Sequence, residues 1–310
     1  MQRQLGILFL SFGVSMSTVA SAQTHDEIVQ QCSRPHDDAE LAIGACTGLI
    51  AAGLETDRDL AVAFYNRGLA HADEQQYDRA IEDFGQAIAI NPDYADAFAN
   101  RADVYYSKDQ YDRAIADYDE AIRLDPSNAQ TLYYRGSLYY VQGDNDRAIQ
   151  DYDQAIRIDP KNAEAISDRG NAYDNMQQFD RAIEDQNQAI SLNPNDPLAF
   201  YNRGNAYRDK GDTEHAIQDY DHAIRLNPGD ADFFHNRGLA YSDKKQYKRA
   251  VRDFDRAIKL NPNYALAFYN RGLAYIDQLQ CKRAMQDFAK ARRLNPNLAM
   301  PSDAAATCSR

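Results

Sequence analysis

Apolar and small side chains recur at spacings of three and four residues along most of this chain, and the stretch 61–94 shows the pattern clearly. In its two halves they lie at Phe64, Gly68 and His71, and then at Tyr77, Ala80, Phe84, Ala87, Ile88 and Ile90. Such spacings place side chains on one face of an α-helix. The stretch therefore predicts two amphipathic helices. Since no stretch shows convincing two-residue alternation, the chain is predicted to be all-α.

A polar turn separates the two predicted helices. It covers residues 74–76 here, and Gly143 and Gly211 occupy the same place in two later stretches. Glycine at this point indicates that the backbone leaves helical angles. Pro92 ends the second helix, and Asp196, which stands directly before a proline, is typical of a helix start. The unit is therefore helix–turn–helix.

The unit repeats every 34 residues. Its arginine stands at Arg67, Arg101, Arg135, Arg169, Arg203, Arg237 and Arg271, and its proline at positions 92, 126, 160, 194, 228, 262 and 296. Two independent markers with one period define a repeat array of seven units. Each unit of such an array packs only on its neighbours.

Two positions of the unit are almost always small, which predicts close helix contacts. One holds glycine in six units and Ala102 in the other, and the second holds alanine in all seven, from Ala80 to Ala284. Aromatic rows accompany them and are predicted to fill the core. The fourth unit is the most irregular, with Gln186 in an aromatic position and Ser167-Asp168 where other units have Tyr-Asn. A binding site, a bend and neutral drift all remain open explanations.

The pattern Phe64…Gly68…Tyr77…Ala80…Phe84…Ala87…Pro92 resembles the tetratricopeptide repeat, in a secreted or periplasmic bacterial protein. The resemblance covers residues 59–298, in units 61–94, 95–128, 129–162, 163–196, 197–230, 231–264 and 265–298. It implies an all-α fold, an α-solenoid that winds as a right-handed superhelix, with an N-terminal capping helix.

One departure from the family is systematic. Arginine stands before the glycine position, where the family usually has leucine, and an aspartate row accompanies it in the second helix, from Asp83 to Asp287. We predict that each arginine pairs with an aspartate, because a guanidinium and a carboxylate form a bidentate pair.

The first 22 residues have the pattern of a secretory signal peptide. Arg3 precedes an apolar run at 5–14, and Ala20-Ser21-Ala22 is a small-residue cleavage pattern. Cleavage after Ala22 would place the protein in the periplasm or outside the cell, and a retained signal anchor is the alternative. Residues 23–58 are predicted to form a helical cap, with a helix at 37–53, and 299–310 a C-terminal tail.

The four cysteines lie near the two ends of the mature chain. In an oxidising compartment this grouping predicts two disulfides, Cys32 with Cys46 and Cys281 with Cys308. Buried free thiols are the alternative. The spacing resembles no zinc site, so no metal or cofactor is predicted.

The net charge of −13 argues against nucleic-acid binding and favours neutral or basic protein segments as partners. In the family, the first helices line a concave groove that holds peptides. By position, the implied groove residues, which are expected to be exposed, are Tyr65, Asn66, Asn100, Asp103, Tyr133, Tyr134, Asp168, Asn171, Tyr201, Asn202, Asn205, Arg208, His235, Asn236, Tyr269 and Asn270.

Asparagine recurs at one position of this set in five of the seven units. A carboxamide both donates and accepts hydrogen bonds, so the row is suited to an extended peptide backbone. Alternatively, these asparagines cap or bridge neighbouring helices.

We therefore expect a non-catalytic scaffold that binds extended peptide or protein segments and has no membrane span after signal cleavage. The alternatives are a small-ligand or enzyme-associated protein that uses the groove as a pocket, and a structural protein that self-associates through its C-terminal end. The sequence contains no H-E-x-x-H, phosphate-binding glycine loop or G-x-S-x-G elbow.

Overall fold

The computed structural model describes residues 24–53, 56–299 and 301. These residues form sixteen α-helices and no strand, so the fold is an all-α solenoid. The helices are α1 His25–Cys32, α2 Ala39–Ala52, α3 Asp57–Asp73, α4 Tyr77–Ile90, α5 Ala95–Ser107, α6 Tyr111–Leu124, α7 Ala129–Val141, α8 Asn145–Ile158, α9 Ala163–Asn175, α10 Phe179–Leu192, α11 Pro197–Asp209, α12 Thr213–Leu226, α13 Ala231–Asp243, α14 Tyr247–Leu260, α15 Ala265–Ile276 and α16 Cys281–Leu294.

The chain divides into two compact units, one up to Val104 and one from Tyr105 onward. Within the second unit, successive helices from α6 to α16 pack on one another, and α7, α9, α11, α13 and α15 also contact each other in that order. The odd-numbered helices from α3 on are the first helices of the repeats. In the first unit, α2 packs on both α1 and α3.

Every turn between the helices of a repeat contains one residue in the left-handed region. Glycine holds this conformation at Gly143 (φ 81°) and Gly211 (φ 93°), as the sequence indicates. The other five turns use Gln75, Asp109, Gln177, Lys245 and Leu279, with φ between 56° and 60°. The turn geometry therefore persists where the residue that favours it is absent.

The small positions are contact points. A Cβ atom added at Gly68 would lie 2.7 Å from Phe84, and one at Gly238 would lie 2.7 Å from Phe254. Such distances are shorter than real Cβ contacts, so a larger side chain at either glycine would require the ring of the second helix to shift. The alanine row is almost completely buried, as Ala80 and Ala250 show with no exposed surface.

The predicted arginine–aspartate pairs are confirmed in six repeats. In each, the arginine Nε and Nη2 donate to the two oxygens of the aspartate sixteen residues later, at 2.6–2.8 Å. The pairs are Arg67–Asp83, Arg135–Asp151, Arg169–Asp185, Arg203–Asp219, Arg237–Asp253 and Arg271–Asp287. Arg101 and Asp117 belong to different units.

The same arginines also tie each repeat to the preceding one. The Nη1 atom of Arg169 donates to Asp153 at 2.6 Å, and that of Arg203 donates to Asn187 at 2.6 Å. Hydrogen bonds to Asp185 hold the pKa of the Arg169 guanidinium above its ordinary value. Each of these arginines therefore joins three helices. We call the row of arginine–aspartate pairs the ladder, and it fixes the orientation of every first helix that it contacts.

The N-terminal cap contains the helix predicted at 37–53, which is α2, and a short helix α1 before it that the sequence did not reveal. A disulfide joins Cys32 at the end of α1 to Cys46 in α2, with Cα atoms 4.8 Å apart. This confirms the first predicted pairing. The second involves Cys308, which lies outside the described residues, so it stays a prediction, as does the signal peptide at 1–22.

Candidate functional site

The implied groove residues all lie on first helices, from α3 to α15, but most are only half-exposed. Among them, Tyr134 is the most exposed, with 37% of its surface accessible. His235 is buried, with 5% exposed, and burial lowers its pKa to about 4. The expectation of an exposed row is therefore corrected. These side chains partly fill the space between neighbouring helices.

Hydrogen bonds between successive first helices explain this burial. Each joins the residue at the Tyr65 position of one repeat to the residue at the Asn66 position of the next, 35 residues later. The pairs are Tyr65–Asn100 at 3.1 Å, Tyr133–Asp168 at 2.9 Å, Ser167–Asn202 at 3.4 Å, Tyr201–Asn236, and His235–Asn270 at 2.9 Å.

The bonded asparagines bridge neighbouring helices, which is the alternative that the sequence left open. The Asn100 amide, for example, donates both to the Tyr65 hydroxyl and to the Asp96 carbonyl, at 3.1 and 2.8 Å. Its oxygen alone is left for a partner. A role for these asparagines in binding a peptide stays a prediction. Many of their side-chain N–H groups already donate hydrogen bonds within the protein.

Tyr134 and Asn66 differ from the rest of their row. The Tyr134 hydroxyl accepts a hydrogen bond from Gln130 on its own helix, at 2.9 Å. Asn66 makes no side-chain hydrogen bond within the described part of the chain. Tyr134 therefore keeps more exposed surface than the bridging residues, and Asn66 keeps more hydrogen-bonding capacity.

A second set of contacts crosses each repeat, between its first and second helix. Tyr220 donates to Asn205 at 2.8 Å, and Tyr152 donates to Ser137 at 3.2 Å. Where the second helix carries phenylalanine instead, the first carries leucine, as in the pairs Leu69–Phe84, Leu239–Phe254 and Leu273–Phe288. The two positions therefore change together, from polar in the middle of the array to apolar towards its ends.

In the irregular fourth repeat, this contact between the first and second helix is completely polar. Gln186 is 1% exposed. It accepts from the Ser167 hydroxyl at 2.9 Å and donates to the Ser167 carbonyl at 2.8 Å and to Asn171 at 3.2 Å. The substitution is matched by its neighbours. Asn171 and Asn205, both implied groove residues, are thus engaged inside their own repeats.

Unbalanced negative charge lies at the C-terminal ends of α9 and α11. Asp174 is the penultimate residue of α9, and Asp209 is the last residue of α11. The Asp174 Oδ1 atom is shielded from solvent and has no hydrogen-bond partner among the described residues. Burial, followed by the charge of Asp209, raises the pKa of Asp174 to about 6. Carboxylates at this end of a helix also face the negative end of its dipole.

Other titratable groups lie close to this acidic surface. Burial raises the pKa of Asp168, while the hydrogen bond from Tyr133 lowers it. Burial also raises the pKa of Tyr140. Arg208 donates to Asp243 at 3.0 Å and also lies close enough to Asp209 for their charges to interact. We call the surface formed by Asp174 and Asp209 the acidic face.

Sequence reasoning found Asp168 and Arg208 but missed Asp174. A sequence signal for Asp174 existed, because Asp174 stands one repeat period of 34 residues before Arg208 and one period after Tyr140. The sequence could not show that the Asp174 carboxylate lacks a hydrogen-bond partner, because this depends on the directions of the Arg208 side chain and its neighbours.

The described part of the chain contains no group of three or more histidine, cysteine, aspartate or glutamate side chains that could hold a metal ion. None of its helices is both long enough and apolar enough to cross a membrane.

Comparison with known protein families gives matches along most of the array. Profiles described as "Tetratricopeptide repeat" match residues 65–129, 100–163, 151–184 and 231–264. A profile described as "TPR repeat" matches residues 170–207 and 204–244. Together the matches run without a gap from residue 65 to residue 264. No curated protein matches the chain in sequence.

Several solved structures are similar to the chain. YrrB, described as a TPR protein with an unusual peptide-binding site, is 29% identical over 60% of this chain and 96% of its own, with a TM-score of 0.51. A tetratricopeptide repeat protein from Parabacteroides merdae is 20% identical, covering 80% and 97%, with a TM-score of 0.65. The C-terminal part of a repeat protein from Cytophaga hutchinsonii is 19% identical, covering 78% and 98%, with a TM-score of 0.62. The last two likenesses concern the fold alone.

Proposed function

Because the chain belongs to the tetratricopeptide-repeat family, whose members are protein–protein interaction scaffolds, we propose that it is a non-catalytic scaffold of the periplasm or cell envelope. It binds extended peptide or protein segments, neutral or basic, on its first-helix surface. The likeness to YrrB supports a peptide as the class of partner, since that protein has a peptide-binding site. The signal-peptide pattern at residues 1–22 supports the location.

The observation that carries the proposal is the unpartnered carboxylate of Asp174. A shielded carboxylate oxygen without a hydrogen bond lowers the stability of the folded chain. A lysine or arginine side chain from a partner would supply the missing donor and would meet the negative ends of two helix dipoles. The acidic face is therefore the point where we place a basic side chain of the partner, with the adjoining first helices holding the segment on either side.

The residues that bridge neighbouring first helices determine what this groove can bind. Tyr133, Tyr201 and Tyr269 present aromatic surface, and the bonded asparagines keep acceptor oxygens. Such a surface binds main chain with modest sequence preference. Specificity then comes from the acidic face.

A pull-down from an envelope extract, with the mature chain from Gln23 as bait, tests the proposal. Asp174→Asn removes the unpartnered charge at constant shape. Asp146→Asn, an exposed aspartate of α8, removes one charge on a second helix and is the matched control. We expect partners retained by the native chain and by the control to be lost with Asp174→Asn. Equal retention by all three baits would contradict the proposal.

A further inference from the structure

A cavity of about 340 Å³ lies in the first unit, between the short helix α1, the end of α2 and the first turns of α3. Its walls include Val29, Leu49 and Val62, and its rim carries Asp59 and Asn66. The volume falls in the range of small-ligand pockets. Neither the repeat pattern nor the acidic face accounts for it.

The cavity lies where the chain of bridges between first helices is interrupted. By the 35-residue spacing, Asn66 would bond to Gln31 of α1. Instead, Gln31 lines a separate cavity between α1 and α2, and its Oε1 atom is shielded and without a hydrogen-bond partner among the described residues. Asn66 makes no side-chain hydrogen bond within the described part of the chain. The disulfide at the end of α1 ties that helix to α2. Asn66 is thus the one asparagine of its row that bridges nothing in the described part of the chain.

The apolar walls are accessible. Val29 and Val62 are 42% and 38% exposed, and both line this same cavity. Covering such surface is favourable by about 25 cal/mol per Å² of apolar area. No lysine or arginine lines the cavity, and its titratable lining residues are Asp59 and His25. The site therefore fits an aliphatic side chain, and it disfavours a carboxylate because burying a charge against apolar walls costs free energy.

We propose that this cavity, which we call the cap pocket, binds a leucine-like side chain of an extended peptide, while the free Asn66 carboxamide pairs with the peptide main chain. A carboxamide can donate to a carbonyl and accept from an amide N–H, as one peptide residue requires. The site rests on the proposed function, because it takes the same class of partner. It lies in the other unit from the acidic face, so each can fail without the other.

The test uses two defined probes, the blocked pentapeptides Ala-Ala-Leu-Ala-Ala and Ala-Ala-Glu-Ala-Ala, titrated into the mature protein while the methyl signals of Val29 and Val62 are followed by NMR. The leucine peptide is expected to shift both signals and the glutamate peptide to shift neither. Asn66→Ala should weaken the leucine peptide by about 3- to 10-fold, the value of one or two hydrogen bonds. Val62→Lys should abolish binding, and its far-UV circular dichroism should match the native chain.

Two controls separate this site from the acidic face and from general binding. Asn202→Ala changes a bridging member of the same row, and Asp174→Asn changes the acidic face; both should leave the shifts of Val29 and Val62 intact. Absence of those shifts in the native protein would overturn the proposal. Equal shifts with the glutamate peptide, or undiminished binding by Asn66→Ala, would do so too.

Discussion

The middle and the end of the second unit are built on the same backbone but differ in the contact inside each repeat. In the middle, Tyr152, Gln186 and Tyr220 bond to polar residues of the first helix. At the end, Phe254 and Phe288 stand opposite leucine. The arginine–aspartate ladder is the same in both regions. Stability common to all repeats thus comes from the ladder, while the inner contact is free to vary.

The acidic face occurs only in the polar region. At the position of Asp174, the last two repeats carry Ser242 and Ile276. The comparison teaches that the repeats which differ most from the family pattern are those where we place the binding site.

The largest expected effect tests whether the ladder is common to both regions. Asp151→Ala and Asp253→Ala each remove the bidentate partner of a largely buried guanidinium, since the arginine side chains are 17% and 18% exposed. Only the single bond to Asp119 or to Asp221 then remains. Each should lower the free energy of unfolding by about 3–5 kcal/mol, measured by urea denaturation. A loss below about 1 kcal/mol at either site would show that the ladder does not stabilise that region.

The second prediction exchanges the inner contact of the two regions. Phe254→Gln puts an amide opposite Leu239 and removes a fully buried ring. The loss should be about 2–4 kcal/mol. Adding Leu239→Asn, which recreates the pair found at Asn171 and Gln186, should recover part of it. If the double variant is less stable than Phe254→Gln, the two positions are not coupled as described.

The third prediction concerns pH and the acidic face. Because the pKa of Asp174 is raised to about 6, the folded state holds a proton that the unfolded state has lost, and stability falls as pH rises from about 4 to above 6. Asp174→Asn should therefore stabilise the protein by about 1–2 kcal/mol at pH 7.5, with a much smaller effect at pH 4.5; this range is reduced for partial solvent exposure. Ser242→Ala, at the same position of the apolar region, should show no such pH dependence.

The smallest expected effects concern the turns. Leu279 adopts φ 59° and is 77% exposed, so Leu279→Gly should stabilise the protein by about 0.5–1 kcal/mol. Gly211→Ala should destabilise it by a similar amount. Thermal unfolding measures both, and opposite signs would contradict the conformational explanation.

Much of the fold could be predicted from the sequence, because each repeat carries the same pattern of residues. The small positions, the turns and the arginine–aspartate pairs all follow from rows of identical residues. Helix α1 was missed because it is a single short copy that the repeat pattern does not support. Its last residue, Cys32, stands where later repeats carry asparagine.

The candidate site was harder to predict than the fold. Position in the repeat shows which helix carries Asn100 or Asn236, but not that their amides already bond to Tyr65 and Tyr201. These bonds join residues 35 apart and depend on how neighbouring helices are packed. Sequence reasoning therefore placed these residues on the correct helices but overestimated their exposed surface.

The most direct test of the central claim is the pH dependence of binding to the acidic face. A blocked, lysine-containing extended peptide would be titrated calorimetrically into the native protein and into Asp174→Asn at about pH 5 and pH 8. Since a cation favours the ionised carboxylate, the native protein should bind more tightly as pH rises through about 6, by about tenfold. The variant should bind weakly at both values. Equal affinity and equal pH dependence for the two proteins would contradict the account.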